Sequence, residues 1–329
     1  VLRLSAIVPA TDAPPTLTRC GAAIDAAADG PDELIVVNSE NGDGPGPAAA
    51  RNRGSRIAEG DVLVFVDSDV AVHADAFTRI RAAFERDPAL VAVIGSYDDD
   101  PAAPGVVSRF RNLLHHHVHQ ESAGPVASFW SGLGAIRREA FEAAGGFDSR
   151  SFTVSSMEDV ELGMRLATDG ARIELDPGLL GTHLKGWTLL SMLRTDAVRR
   201  GMPWVALLMR RRELPGELNL TRRHRLAAAG WLAATAALAG RRPRTALAAG
   251  AVATAANARF YALLARRMGP AAVLGVPLHA LHYLAAVAAV PLGAVHYLHG
   301  RAVERREPEP IPVTEPRTVA REPVAADAG

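Results

Sequence analysis

The sequence predicts an α/β domain on a mostly parallel sheet, followed by amphipathic interfacial helices and C-terminal transmembrane helices. Three observations predict it. Apolar runs alternate with helical patterns over the first hundred residues, as in sheets whose parallel strands are joined by crossover helices. A pair of aspartates closes one of those runs, at the strand end where such sheets bind ligands. Residues 226–299 are dominated by Ala, Leu and Val, with few charges.

In chain order, Leu2–Pro9 reads as a buried strand, Thr16–Asp29 as a helix and Glu33–Val37 as a second strand. Ala48–Glu59 is helical in pattern, Asp61–Val66 a third strand, Asp75–Arg86 a helix and Val91–Ser96 a fourth strand. Further on, Phe129–Ile136 and Arg172–Leu175 are strand candidates flanking the helices Arg138–Ala144 and Glu158–Asp169. From residue 187 to 224 amphipathic pieces alternate with arginine clusters, which suits helices lying on anionic head groups with Trp187 and Trp204 at the boundary. Three apolar segments follow: Leu226–Ala239, Thr245–Ala265 and Ala271–Leu298. The expected division is 1–186, 187–224, 225–300 and a disordered Pro-, Glu- and Arg-rich tail, 301–329.

Composition excludes several classes. Thirty-six basic residues balance 36 acidic ones, so nothing favours nucleic acid as a partner. One cysteine, Cys20, cannot build a disulfide framework. The chain enters its first strand without a signal-peptide pattern, which places the expected α/β domain on the cytoplasmic face of the cell (inner) membrane.

Chemistry concentrates in three places. Asp67-Ser68-Asp69 follows an apolar strand, and alternate residues of an extended segment point the same way, so two hard oxygen ligands can share Mg²⁺ or Mn²⁺. Turn formation is the bland alternative. Ser155-Ser156-Met157-Glu158-Asp159 opens a helix, and Ser155 with Glu158 has capping-box spacing. Asp159 is left over, as a first-turn carboxylate or a general base. His183 and Lys185 follow the last strand pattern, where they suit a metal ligand and a phosphate partner. His115-His116-His117-Val118-His119 puts only His115 and His119 on one helix face, which favours a structural or interfacial role over a second metal site. Asp98-Asp99-Asp100 reads as a solvated turn.

Taken in order, these pieces resemble the family 2 glycosyltransferases of GT-A fold over about residues 2–204. Leu4–Pro9 looks like the family's opening strand, Ala50-Arg51-Asn52-Arg53-Gly54 like its ARN-x-G motif and Asp67-Ser68-Asp69 like its metal-binding DxD. Ser131-Gly132 through Gly145-Gly146-Phe147-Asp148 is similar to its acceptor-side segment, and Glu158-Asp159 to its catalytic ED pair. The resemblance implies a nucleotide-sugar donor contacted by Pro9, Asn38, Arg51, Asp67 and Lys185. It implies a divalent metal on Asp67, Asp69 and His183, and catalysis with inversion by Asp159 and Glu158. Two departures stand out. Asn38-Ser39-Glu40 replaces the usual base-reading Asp pair, and the Q-x-x-R-W motif of processive synthases is missing, so transfer of one or a few sugars is expected. The basic and apolar segments imply a membrane-associated lipid or glycolipid acceptor. The rival reading is a non-catalytic, membrane-tethered nucleotide-sugar binding protein. A nucleotidyltransferase would need a Gly-rich phosphate loop where Pro9-Ala10-Thr11-Asp12 stands.

Overall fold

A computed structural model describes residues 2–11, 14–38, 46–212 and 218–304. Asp12, Ser39, Glu40 and the tail from residue 305 onward lie outside the described residues. The α/β part holds strands β1 (Leu4–Ala10), β2 (Glu33–Asn38), β3 (Val62–Val66), β4 (Val70–Val72), β5 (Leu90–Tyr97), β6 (Gly124–Val126), β7 (Leu133–Arg137) and β8 (Arg172–His183). Its helices are α1 (Leu17–Asp25), α2 (Pro47–Ile57), α3 (Ala76–Arg86), α4 (Val106–Gln120), α5 (Arg138–Ala143) and α6 (Glu158–Thr168).

The sheet order is β2-β1-β3-β7-β5-β8-β4, with β6 also on β8. β1 pairs parallel with β2 and β3, and β5 parallel with β8. β7 enters antiparallel between β3 and β5, while β4 and β6 pair antiparallel with β8. The fold class holds, and the sheet is more mixed than alternation suggests. A strand that returns directly from a short turn needs no crossover helix, so its direction leaves no helical trace in the sequence. The carboxyl ends of β1, β2, β3, β5 and β8 nevertheless share one edge, which therefore carries Ala10, Asn38, Asp67, Tyr97 and His183.

β3 is buried along its whole length, and Phe65 meets Phe129, Phe141 and Phe147 at centroid distances of 6.2, 5.4 and 5.1 Å. Burial of such side chains contributes roughly 1.5–3 kcal/mol each and fixes the end of β3 under the acidic pair. Two glycines set close approaches. A Cβ on Gly54 would strike Ile7, so α2 lies directly on β1; a Cβ on Gly163 would overlap the backbone of Ser128 and Phe129, so α6 presses against that segment.

Two strand expectations change. Phe129 and Trp130 are irregular and Ser131–Gly132 turn, so strand pairing begins at Leu133; Asp67 N–H donates to Gly132 O, and Trp130 and Ser131 join the pocket wall. β8 continues to His183, since a register shift against β5 between Ile94 and Ser96 absorbs Pro177 and Gly178.

The C-terminal part is helical. α7 (Leu189–Arg194) runs through a π-helical turn (Thr195–Gly201) into α8 (Met202–Arg211). α9 (Arg222–Ala239), α10 (Pro243–Ala255), α11 (Ala258–Met268) and α12 (Gly275–Glu304) follow. Thr245–Ala265 is therefore not one helix: it breaks at Asn257, whose buried amide donates to Ala253 O. Residues 301–304, expected in the tail, complete α12. Among the described residues only Ala258–His299 is long and apolar enough, by length and composition, to cross a membrane. Trp187 and Trp204, expected at a membrane boundary, are both half-buried. Trp187 packs beside Arg111 and Lys185, and Trp204 against the Met157, Val160 and Met164 cluster.

Candidate active site

Asp67 and Asp69 leave the end of β3 and the chain turns at once into β4. Because β4 pairs with the end of β8, Val70 faces His183 in register and Leu184 N–H donates to Asp69 O. His183 Nε2 consequently lies 3.7 Å, and Lys185 Nζ 3.8 Å, from Asp69 Oδ2. The His183 ring stacks on Tyr97 at 4.2 Å, and Trp130 meets Tyr97 edge-on.

Helix α6 brings the second acidic pair. Asp159 Oδ1 accepts from Val160 N–H, while Oδ2 accepts two long bonds, 3.3 and 3.4 Å, from the Ser131 N–H and hydroxyl. Asp159, Asp67 and Asp69 line one polar pocket of about 150 Å³ with Arg51, Tyr97, Trp130, Ser131, His183 and Lys185.

Glu158 behaves differently from its neighbour. It is 2% exposed and accepts from Arg51 at 3.1 Å and from the Ser156 N–H at 2.8 Å. The expected capping box with Ser155 does not form, because α6 starts at Glu158 itself, with Met157 as its cap. Arg51, also 2% exposed, gives its other terminal nitrogen to Asp67 at 2.6 Å. The guanidinium thus ties α2, β3 and α6 together.

Asp67 and Asp69 respond oppositely to this setting. Asp67 is pushed up to about 6 by desolvation, with the Asp69 charge adding to it and Arg51 opposing. Asp69 also feels desolvation, but His183 and Lys185 outweigh it and hold its carboxyl below the usual range. The two titrate as a pair. Cys20, beneath them, is pushed up to about 12 by burial and is inert at neutral pH.

A divalent cation fits this donor set. Among the described residues no three His, Cys, Asp or Glu side chains converge as a ready cage. Two carboxylates opening into a polar pocket, with an imidazole beside one of them, still suit Mg²⁺ or Mn²⁺, which keep waters and take substrate phosphates as further ligands.

Pro9 and Asn38 lie at adjacent strand ends, where Pro9 pairs with Val37 and Ala10 with Asn38, outside the walls of this pocket. The histidine run is taken up in packing: His115 stacks near His119 and Trp130, His116 Nδ1 meets Tyr97 O, and His117 lies on Phe260. Asp98 is not a solvated turn residue; it is buried and joins His73 and Thr182, while Asp99 pairs with Arg267. Sequence reasoning missed Tyr97, Trp130 and Arg200 as pocket residues, whereas Ser131 opens the segment expected on the acceptor side. Tyr97 had a signal, since it follows directly on a strand whose carboxyl end meets the ligand edge.

Residues 19–145 match the model of glycosyl transferase family 2. No curated protein matches the chain. Among solved structures, it is similar to a mannosyltransferase of Pyrobaculum calidifontis in complex with GDP-Man and Mn²⁺, at 19% identity over 91% of this chain and 88% of that one, with a TM-score of 0.53. A glucosyl-3-phosphoglycerate synthase of Mycobacterium tuberculosis with Mg²⁺ and UDP matches at 18% identity over 64% and 79% of the two chains, with a TM-score of 0.43. The fold is of the GT-A type, and together with the match over residues 19–145 it supports a family 2 glycosyltransferase.

Proposed function

We propose that this chain is an inverting glycosyltransferase, moving a sugar from a nucleotide-sugar donor to an oxygen of a membrane-associated acceptor. One observation carries the reading: Asp159, whose Oδ2 accepts only long bonds, lines the same polar pocket as Asp67 and Asp69. Asp67, Asp69 and His183 would hold the divalent ion, whose charge offsets that of the leaving nucleoside diphosphate. Lys185, half exposed beside Asp69, adds a cation for a donor phosphate.

Asp159 takes the proton of the acceptor hydroxyl as that oxygen bonds to the anomeric carbon. The bond from that carbon to the diphosphate oxygen breaks on the opposite face, and the nucleoside diphosphate leaves with the electron pair. The long bonds from Ser131 leave Oδ2 able to accept a further hydrogen bond from an acceptor hydroxyl. Arg51 and Glu158 hold Asp67 and α6 in place. The apolar stretch Ala258–His299 supports membrane anchoring; that the α/β part lies on the cytoplasmic side is part of the proposal.

A donor panel tests this. Purified full-length protein should release UDP, GDP or dTDP from one nucleotide sugar with Mg²⁺ or Mn²⁺, and stop with EDTA. Donor binding without turnover, with membrane extracts present as acceptor, would instead identify a nucleotide-sugar binding protein.

A further inference from the structure

Behind the polar pocket lies a larger cavity of about 360 Å³, between the α/β part and the helices that follow it. The chemistry above makes no use of it. Its walls are mostly apolar, with Leu114 and Val118 from α4, Phe129, Met157 and Val160 beside α6, and Trp204 from α8. They also carry polar groups such as His119, His224 and Arg225. Ligand sites of this size and lining, with a few placed polar groups, take small hydrophobic molecules.

The cavity has two ends. At one, Arg111, His115, Trp130 and Arg200 line both it and the pocket that holds Asp159. At the other, Val287 and Val290 belong to the one stretch, among the described residues, that is apolar and long enough to cross a membrane, and Val290 is 53% exposed. The space thus runs from the flank of that helix to the wall of the polar pocket.

Charge at the inner end is unevenly spent. Asp196, in the π-helical turn, is 2.8 Å from both Arg111 and His282, so those groups are already paired. Arg200 lines both spaces; its charge acts on Asp196 from a distance, but its guanidinium makes no ion pair or side-chain hydrogen bond with any described residue. A half-buried cation between a polar pocket and an apolar one is suited to an anion that carries a hydrocarbon chain.

We propose that the cavity holds the hydrocarbon chain of an anionic single-chain amphiphile, with its phosphate against Arg200. Naming that molecule the acceptor rests on the transfer reading above; its binding does not. The chain enters beside α12, and the head group is delivered next to Asp159.

The test uses full-length protein in zwitterionic nanodiscs, titrated calorimetrically with dodecyl phosphate and corrected for partition into empty discs. Saturable binding of one equivalent is expected. Dodecanol should bind more weakly by about tenfold or more, because it offers Arg200 no charge, and inorganic phosphate not measurably, because it has no chain to bury. Arg200→Gln should bring dodecyl phosphate down to the dodecanol level, and Arg200→Lys should retain most of the difference. Ala286→Trp and Val287→Trp, which fill the cavity, should abolish chain binding, with thermal unfolding reporting that each variant is folded. Absence of saturable binding overturns the proposal, as does equal binding by folded wild type and variants. Donor turnover measured on the same preparations separates the two readings: if it is absent while dodecyl phosphate binds as described, the transfer reading falls and the cavity assignment stands.

Discussion

Arg51 donates to Glu158 across 107 residues of sequence, at 3.1 Å and with both side chains almost wholly buried. Its other terminal nitrogen reaches Asp67. A motif arginine and one half of an acidic pair, both in the wall of the polar pocket, also brace that wall from within.

That brace makes a stability prediction. Arg51→Met leaves Glu158 buried without its cation and should destabilise the fold by about 3–5 kcal/mol, the usual cost of breaking a buried pair from one side. Urea unfolding of the variant measures it. An unchanged midpoint would mean that Arg51 serves the ligand and not the framework.

Asp159→Asn should fold normally, because the amide oxygen can still accept the Val160 and Ser131 bonds. Transfer should drop on the order of 10²–10⁴-fold, the common cost of losing a general base. Donor affinity should barely move. Loss of donor binding with transfer intact would remove Asp159 from the role given to it.

Asp69→Asn should weaken donor binding when Mg²⁺ or Mn²⁺ is present and leave metal-free binding as it was. Equilibrium dialysis of the donor, with and without EDTA, distinguishes the cases. Wild-type turnover in this variant would show that the DSD carboxylates do not hold the metal.

Stability should fall with acid through the histidine helix. Burial pushes both His117 and His119 down to about 4, against an ordinary value near 6.5. The unfolded chain therefore takes up protons that the folded chain refuses. Stability is complete above about pH 6.5, declines as pH drops toward 4 and levels off below that, by on the order of 3 kcal/mol for each histidine. Denaturation at pH 7 and pH 5 should differ in that direction, and His117→Phe should narrow the difference. No narrowing would show that His117 carries none of it.

The full chain should stay with membranes through high salt and carbonate, since Ala258–His299 offers an apolar surface that neither wash disrupts. Release by salt alone would point to binding through the arginine clusters, whose attraction is screened within about a Debye length of 10 Å.

The sequence by itself determined the strand and helix alternation, the acidic pair after β3 and the helix that starts at Glu158-Asp159. These are local: a buried strand, a turn and an amphipathic helix each write their period or their end residues into a short window. It also marked the apolar C-terminal region, though not its break at Asn257, because hydropathy averages over a residue whose amide satisfies itself inside the fold. Only the tertiary structure decided the rest. Antiparallel β4 and β7, the meeting of His183 with Asp69, and the division of labour between Glu158 and Asp159 all depend on partners far along the chain. The same holds for Arg200, one arginine among several in the sequence. It is set apart because Asp196 is paired with Arg111 and His282, and because a cavity opens on each side of it. Burial and pairing are properties of surroundings, and surroundings exist only once the chain has closed on itself.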